Sequence, residues 1–362
     1  MSPVGELVRP STVPEIQEIV RERRSLLPRG GRTKPALSTP ASETTVLDLS
    51  QFSGVLEYDP AEFTFTALAA TPVREVERML GAHGQFLPFD PPLAASGATL
   101  GGTVASGLSG PRRYRYGGVR DFVLGVRFVD GTGAVVRGGG RVVKNAAGFD
   151  LPKLMVGSLG QLGVLVELTF KVFPTPRAHA TIRGVRARFE EALRDLLRLN
   201  TSGFDLEAVD LEPPGVLWVR LGGQEESLEV RTKRLMAFLE GPVEVLRGEE
   251  EQALWEGARE FSWVPAGHAL VKVPVTPRRL AALETWLARA GVPRRYSVGG
   301  NCAWVAWPLD LALLHRTLVE LGLAGLCVLG PPGRRMLGEW EGEAFARRVK
   351  QALDPQGKFG VG

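Results

Sequence analysis

Glycine is concentrated between residues 97 and 163, and that clustering restricts the fold more than any other feature of the chain. The run includes Gly97, Gly101, Gly102, Gly107, Gly110, Gly117, Gly118, Gly138 to Gly140, Gly148, Gly157, Gly160 and Gly163. Glycine loses more backbone freedom on folding than any other residue, so this density implies special dihedrals or close approach of another group. Short β-type stretches lie between the glycines, FVLGVRFVD (122–130) and LGVLVELTFKVF (162–173). Pro174 and Pro176 then punctuate the chain, and we place a domain boundary after residue 176.

The common glycine motifs do not explain the run. A dinucleotide fingerprint needs G-x-G-x-x-G between a strand and a helix. The nearest candidate, GTGAVV (131–136), has Val136 at the third glycine position and reads as a hairpin turn signalled by Asp130-Gly131. No G-x-x-x-x-G-K-[ST] and no G-x-S-x-G occurs. These gaps argue against P-loop nucleotide hydrolysis, Rossmann-type nicotinamide binding and the common serine hydrolases.

A length of 362 residues allows two or three domains. Hydrophobic residues at 44% and charged residues at 23% are globular proportions. No run of 18 apolar residues occurs, and the start, MSPVGELVRPSTVPEIQEIV, does not read as a secretory signal. A cytoplasmic location is expected, with any membrane contact peripheral. Cys302 and Cys327 cannot form a disulfide framework, and two thiols cannot ligate an iron–sulfur cluster. The net charge of +4 comes with 40 acids against 44 bases, and no basic stretch alternates with aromatics, so nucleic acid is not an expected partner.

The element pattern is α+β. VPEIQEIVRERR (13–24) has apolar residues at helical spacing, with Thr12 or Ser11 as N-cap. VLDLSQF (46–52) and FTFTALA (63–69) read as strands, and 71–84 as a helix capped by Thr71. After residue 177, amphipathic helices at 189–200, 228–241, 277–291 and 309–322 alternate with strands at 216–223, 268–275, 302–309 and 326–330. This predicts an antiparallel sheet with helices on one face. EAFARRVKQALDPQGKF (343–359) reads as a final helix and turn.

Two loops have the composition of anion cradles. PRGGRTKP (28–35) holds two glycines, a threonine and three cations, and GATLGGTVASG (97–107) is built of small residues opening a short helix. Successive backbone N–H groups at such positions form a concavity for anions. Either loop alone reads equally as a surface turn; two together suit a pyrophosphate.

Residues 97–176 carry four landmarks in order: GATLGG, RYGGVRD, VVKNAAGFDLPKLMVGS and GSLGQLGVLVELTFKVFP. In this order and spacing the segment resembles the FAD-binding domain of the vanillyl-alcohol oxidase and p-cresol methylhydroxylase superfamily (PCMH type). The similarity extends back to PRGGRTKP. Within the superfamily the chain is similar to the E-type subunits of glycolate oxidase, and DPQGKF (354–359) resembles the family's closing element. Gly360 and Val361 stand where that element carries Asn and Pro.

The resemblance implies a two-subdomain PCMH-type FAD-binding domain over 1–176, an α+β antiparallel-sheet cap over 177–342, and a helix and tail over 343–362 returning to the first domain. Together with the loop reading it places cofactor contacts at Arg29, Gly30, Gly31, Arg32, Thr33, Lys34, Pro92, Ala98, Thr99, Gly101, Gly102, Thr103, Ser106, Gly107, Gly157, Gly160, Gly163 and Val164. Both cradles are expected to grip the pyrophosphate, with residues 162–164 against the adenine. Relatives that attach flavin covalently often do so through a histidine in the first loop. Arg32 stands there, so non-covalent FAD is expected.

Catalytic 2-hydroxy-acid members carry histidine-rich motifs for substrate, metal and proton abstraction. Here His83, His179, His268 and His315 stand apart, none beside an acid in sequence. No catalytic or metal-ligating residue is therefore assigned. Arg112, Arg113 and Arg115 beside Tyr114 and Tyr116 read as a solvated loop or a site for an acidic group. Trp255, Trp263, Trp304 and Trp307 read as core rather than a docking patch, and GEEEQ (248–252) as a solvated helix start. The reading that emerges is an FAD-binding subunit relaying electrons from a catalytic flavoprotein subunit to an iron–sulfur subunit. A self-sufficient hydroxy-acid oxidoreductase and a flavin-free scaffold are the alternatives.

Overall fold

The computed structural model describes residues 6–38, 43–140, 150–331 and 335–360. Most of the VVKNAAGFD landmark, residues 142–149, lies outside them. The chain forms two compact units. The first comprises 1–109, 118–174 and 341–362; the second comprises 110–117 and 175–340. Residues 110–117 thus group with the second unit although they fall inside the span expected for the first domain.

In the first unit, strands Leu7–Val8, Thr45–Asp48 and Leu26–Arg29 form a small parallel sheet. A five-stranded antiparallel sheet runs in the order Val55–Asp59, Thr64–Leu68, Val164–Lys171, Val123–Val129, Val135–Gly139. The Asp130 carboxylate closes the predicted hairpin, accepting from the amides of Thr132 and Ala134. Helix Val13–Glu22 starts at Thr12, whose Oγ1 accepts from the Glu15 amide; the Glu15 carboxylate accepts in turn from the Ser11 amide. The helix buries Ile16 and Val20 against Leu26, Leu47, Val164, Val166 and Phe359. Phe359 shows that the returning tail completes this core.

The second helix, Val73–Gly81, is not capped by Thr71 as expected. The Thr71 hydroxyl instead accepts from the Gly54 amide and donates to the Leu68 carbonyl, tying two loops together. The buried hydroxyl is used where two orphan backbone groups lie within reach.

The second unit is built on a nine-stranded antiparallel sheet, flanked by the helices read from periodicity. Its strands include Ala178–Val185, Ala208–Glu212 and Arg294–Ser297, none of which was expected. Each carries polar side chains that read as loop. In the sheet these are paired: Arg295 Nε donates to Asp210 Oδ2 at 2.7 Å and Ser297 Oγ to Oδ1 at 2.7 Å. Buried charge is tolerated only with such partners. Trp255, Trp304 and Trp307 are core residues, as expected. Glu251, read as part of a solvated helix start, is instead buried and holds Arg220 through two hydrogen bonds of 2.7 and 3.0 Å.

Candidate functional site

The first unit contains a cleft with about 840 Å³ of space open to solvent. Three stretches line it: residues 27–34 with Leu37, Ser38 and Leu49; Thr99, Gly101, Gly102, Ala105 and Ser106 with Ala69 and Ala70; and Leu159, Gly160, Gly163 and Leu165. Arg29, Arg32 and Lys34 lie on one wall, and none of the described lining residues is acidic. Such a cleft favours an anion. Leucines and alanines cover the rest, which suits an apolar ring system.

The two predicted cradles meet. A Cβ added to Gly30 would lie 2.6 Å from Thr99 Oγ1, and one added to Gly31 would lie 1.9 Å from the Gly97 carbonyl oxygen. Only glycine permits this approach. Gly101 is as confined, since its Cβ would stand 2.9 Å from the Ala69 oxygen. Gly102 is not: its Cβ would meet only Thr99 Oγ1, at 3.2 Å.

The backbone donors of the two loops differ. Thr99 caps the short helix Leu100–Ser106. The amides there are committed internally: Leu100 N donates to the Thr71 carbonyl, Gly101 N to Ala69, and Gly102 N to Thr99 Oγ1. Among the described hydrogen bonds, none uses the amides of Gly30, Gly31, Arg32 or Thr33. Backbone N–H groups seldom stay unpaired unless water or a ligand takes them. Arg32 sits in the left-handed region at φ 58°, which few side chains favour.

Charge around the first loop is organised by Asp48, which is 4% exposed. Arg9, Arg29 and Arg32 lie 3.4, 3.6 and 3.4 Å from its Oδ2. Burial alone would raise its pKa, but the Ser50 backbone and side-chain bonds and the nearby arginines hold it below the usual carboxylate range. Lys34 is buried and donates to Thr33 Oγ1 at 3.1 Å.

Of the residues singled out in the sequence, Arg29, Gly30, Gly31, Arg32, Thr33, Lys34, Thr99, Gly101, Gly102, Ser106, Gly160 and Gly163 line the cleft. Pro92, Ala98, Thr103, Gly107, Gly157 and Val164 do not line it. Val164 is in the core with Ile16 and Phe359. The Ala98 amide donates to Leu93, and the Thr103 hydroxyl to the Thr99 carbonyl. Gly107, at φ 63°, ends the helix against Gly157, whose amide holds the Val104 carbonyl. Leu27, Leu37, Leu49, Leu159 and Leu165 were missed, because apolar lining looks like core in a sequence.

Of the arginine-rich 112–116 segment, Arg112 and Tyr116 join a buried polar cluster of the second unit, while Arg113 and Arg115 are exposed. Glu207, fully buried, accepts from the Tyr116 hydroxyl at 2.8 Å. His179 Nε2, Arg112 Nε and Arg220 Nε lie 3.3, 3.7 and 3.9 Å from its Oε2. Burial opposes ionisation, yet His179, Arg112 and Arg220 outweigh it and push the Glu207 pKa down to about 2. The same carboxylate, with burial as the larger cause, raises the Tyr116 phenol above its usual range. Among the described residues, no group of three His, Cys, Asp or Glu side chains is placed to hold a metal ion.

Cleft and fold define a flavoprotein with the PCMH-type FAD-binding domain. The family described as FAD binding domain matches residues 5–139. Among solved structures, alkyldihydroxyacetonephosphate synthase superposes with a TM-score of 0.72 at 17% identity, covering 98% of this chain and 76% of that one. Glycolate oxidase subunit GlcE of Escherichia coli K12 is 33% identical over 360 residues, 96% of this chain and 95% of that protein. The chain belongs to the family of glycolate oxidase subunit GlcE. Glycolate oxidase subunit GlcD of Bacillus subtilis is 30% identical over 191 residues, 51% of this chain and 40% of that protein. The protein is thus an FAD-binding member of the glycolate oxidase family. No helix among the described residues is long and apolar enough to cross a membrane.

Proposed function

We propose that the chain holds FAD non-covalently in this cleft and serves as the non-oxidising subunit of a glycolate-oxidase-like complex. In this reading it passes electrons from a catalytic flavoprotein subunit toward an iron–sulfur subunit, on the cytoplasmic side, touching a membrane only through its partners. When bound, FAD supplies a centre that accepts electrons in pairs and releases them singly.

The amides of Gly30 to Thr33, unused in the described hydrogen bonds and set in a loop that lines a cationic cleft without acidic lining, carry the cofactor placement. These donors take phosphate oxygens, while Arg29, Arg32 and Lys34 offset the diphosphate charge. Residues 100–102 supply shape rather than donors, since their amides are already engaged; Gly101 and Gly102 keep the wall low. Leu159 to Leu165 provide the apolar wall for the adenine end.

The absence of substrate oxidation is read from the histidines. Oxidising an α-hydroxyl needs a base in reach of its proton. His179 lies against Glu207, His315 Nδ1 accepts from the Gly338 amide, and His83 packs edge-on against Tyr58. His268 lies 3.4 Å from the Ala266 carbonyl of its own turn. Each has a structural engagement, and the two cysteines leave any iron–sulfur cluster to another chain.

The test is a visible absorption spectrum of the purified chain titrated with FAD, followed by glycolate and an artificial acceptor. A bound flavin spectrum with no bleaching by glycolate supports the reading. Turnover by the isolated chain overturns the non-oxidising role, and failure to bind FAD overturns the cofactor placement.

A further inference from the structure

The cleft wall formed by residues 159–165 is conformationally costly. Leu159 has φ 53° and Gly160 φ 73°, so two successive residues are left-handed, and Gly163 follows at φ 144°. A left-handed leucine is strained, so the surroundings must hold it. From one side the wall is tied to helix Leu100–Ser106: Leu159 N donates to the Ala105 carbonyl at 2.8 Å and Gly157 N to Val104 at 2.9 Å. The anchor on the other side comes from a residue 189 positions away. Lys350 Nζ donates to the Gln161 carbonyl at 3.1 Å, between the cleft residues Gly160 and Gly163.

Lys350 is well placed for this. Its other two N–H groups go to Asp354 Oδ2 at 2.8 Å and the Phe359 carbonyl at 3.2 Å, so all three ammonium donors are used within the first unit. The Asp354 side chain is fully buried and also receives the Lys358 and Phe359 amides, each at 2.9 Å. The helix end that carries Lys350 is itself pinned, since Gly131 N donates to the Leu353 carbonyl at 2.8 Å. The ammonium therefore stands on a fixed base.

We infer that Lys350 is a positioning residue for the FAD cleft, fixing the 159–165 wall through the Gln161 carbonyl and making cofactor retention depend on the returning segment. This rests on the placement of FAD in the cleft argued above. Lys350 itself is absent from the cleft lining, so its effect is exerted through the wall.

The test compares full-length Lys350→Met, Lys350→Arg and Phe359→Ala with wild type, reading FAD dissociation constant, apo-protein Tm and the visible circular dichroism of bound flavin at saturation. Losing a hydrogen bond from a charged donor should raise the Lys350→Met dissociation constant about tenfold and alter the dichroism. Lys350→Arg, which keeps a cationic donor, should stay within about threefold. Phe359→Ala removes a core side chain without touching the ammonium, so it should lower Tm with a smaller loss of FAD. The inference is overturned if Lys350→Met binds FAD within twofold of wild type. It is equally overturned if, for the same fall in Tm, Phe359→Ala loses as much FAD and gives the same dichroism. Should Lys350→Met not fold, Lys350→Gln is judged by the same criteria. A wild-type protein that binds no FAD would instead sink the cofactor placement beneath it.

Discussion

Gly31 and Gly97 approach so closely that a Cβ on the first would sit 1.9 Å from the carbonyl oxygen of the second. At this point the two glycine loops are in backbone contact, and no rotamer can relieve an added carbon. Gly31→Ala must therefore move the 28–34 loop, at a cost of about 1–3 kcal/mol. We expect a lower Tm together with at least tenfold weaker FAD binding, measured by flavin fluorescence titration.

Gly102 is the opposite case. Its added Cβ meets only Thr99 Oγ1, at 3.2 Å, so Gly102→Val should need only a small shift of that hydroxyl while adding methyl groups to the cleft lining. FAD binding should be abolished with apo-protein Tm within a few degrees of wild type. Unchanged FAD affinity in this variant would show that the diphosphate lies elsewhere.

Glu207 gives the second unit a pH dependence. Its folded pKa is held near 2 against an ordinary 4.5, with burial opposing and His179, Arg112 and Arg220 prevailing. A depressed carboxyl contributes stability that is fully present above pH 4.5 and is lost as pH falls toward about 2. Glu207→Gln should destabilise the unit by about 3–5 kcal/mol, because Arg112 and Arg220 lose a buried counter-charge. It should also flatten the acid limb of stability against pH, measured by urea unfolding at stepped pH.

Both thiols should be silent in the folded protein. Burial pushes Cys302, despite Lys272 and Arg113 nearby, and Cys327 up to about 11, and the side chains are 7% and 0% exposed. Since thiolate is the reactive form, a disulfide reagent at neutral pH should label neither cysteine until denaturant is added. Rapid labelling in native buffer would contradict the packing of strands Cys302–Pro308 and Ala324–Leu329.

Phe359 is 1% exposed, in the core with Ile16, Val20 and Leu26. Phe359→Ala should cost the first unit about 3–5 kcal/mol. Differential scanning calorimetry should show one transition moved down and the other unmoved.

Features that depend on neighbours in sequence were legible. The Asp130-Gly131 hairpin and the Thr12 cap are local chemistry and stand where the residue types put them. The two glycine loops were visible as special segments because glycine density has few other causes, and both line the same cleft. Which amides remain open was not legible, since that depends on acceptors such as Thr71 O and Ala69 O arriving from elsewhere. Glu251 and Glu207 were hidden for the same reason: one sits in a charge run that looks solvated, and their partner Arg220 comes from another strand. Asp210 and Arg295, 85 positions apart, made true strands look like loops.

The return of residues 341–360 to the first unit also has a consequence in time. The anchor on Gln161 belongs to a residue synthesised 189 positions after it, once the whole second unit has been made. On the reading proposed above, a nascent chain halted before residue 350 lacks the Lys350 fastening of this wall, so we expect tight flavin binding only once residue 350 has been made.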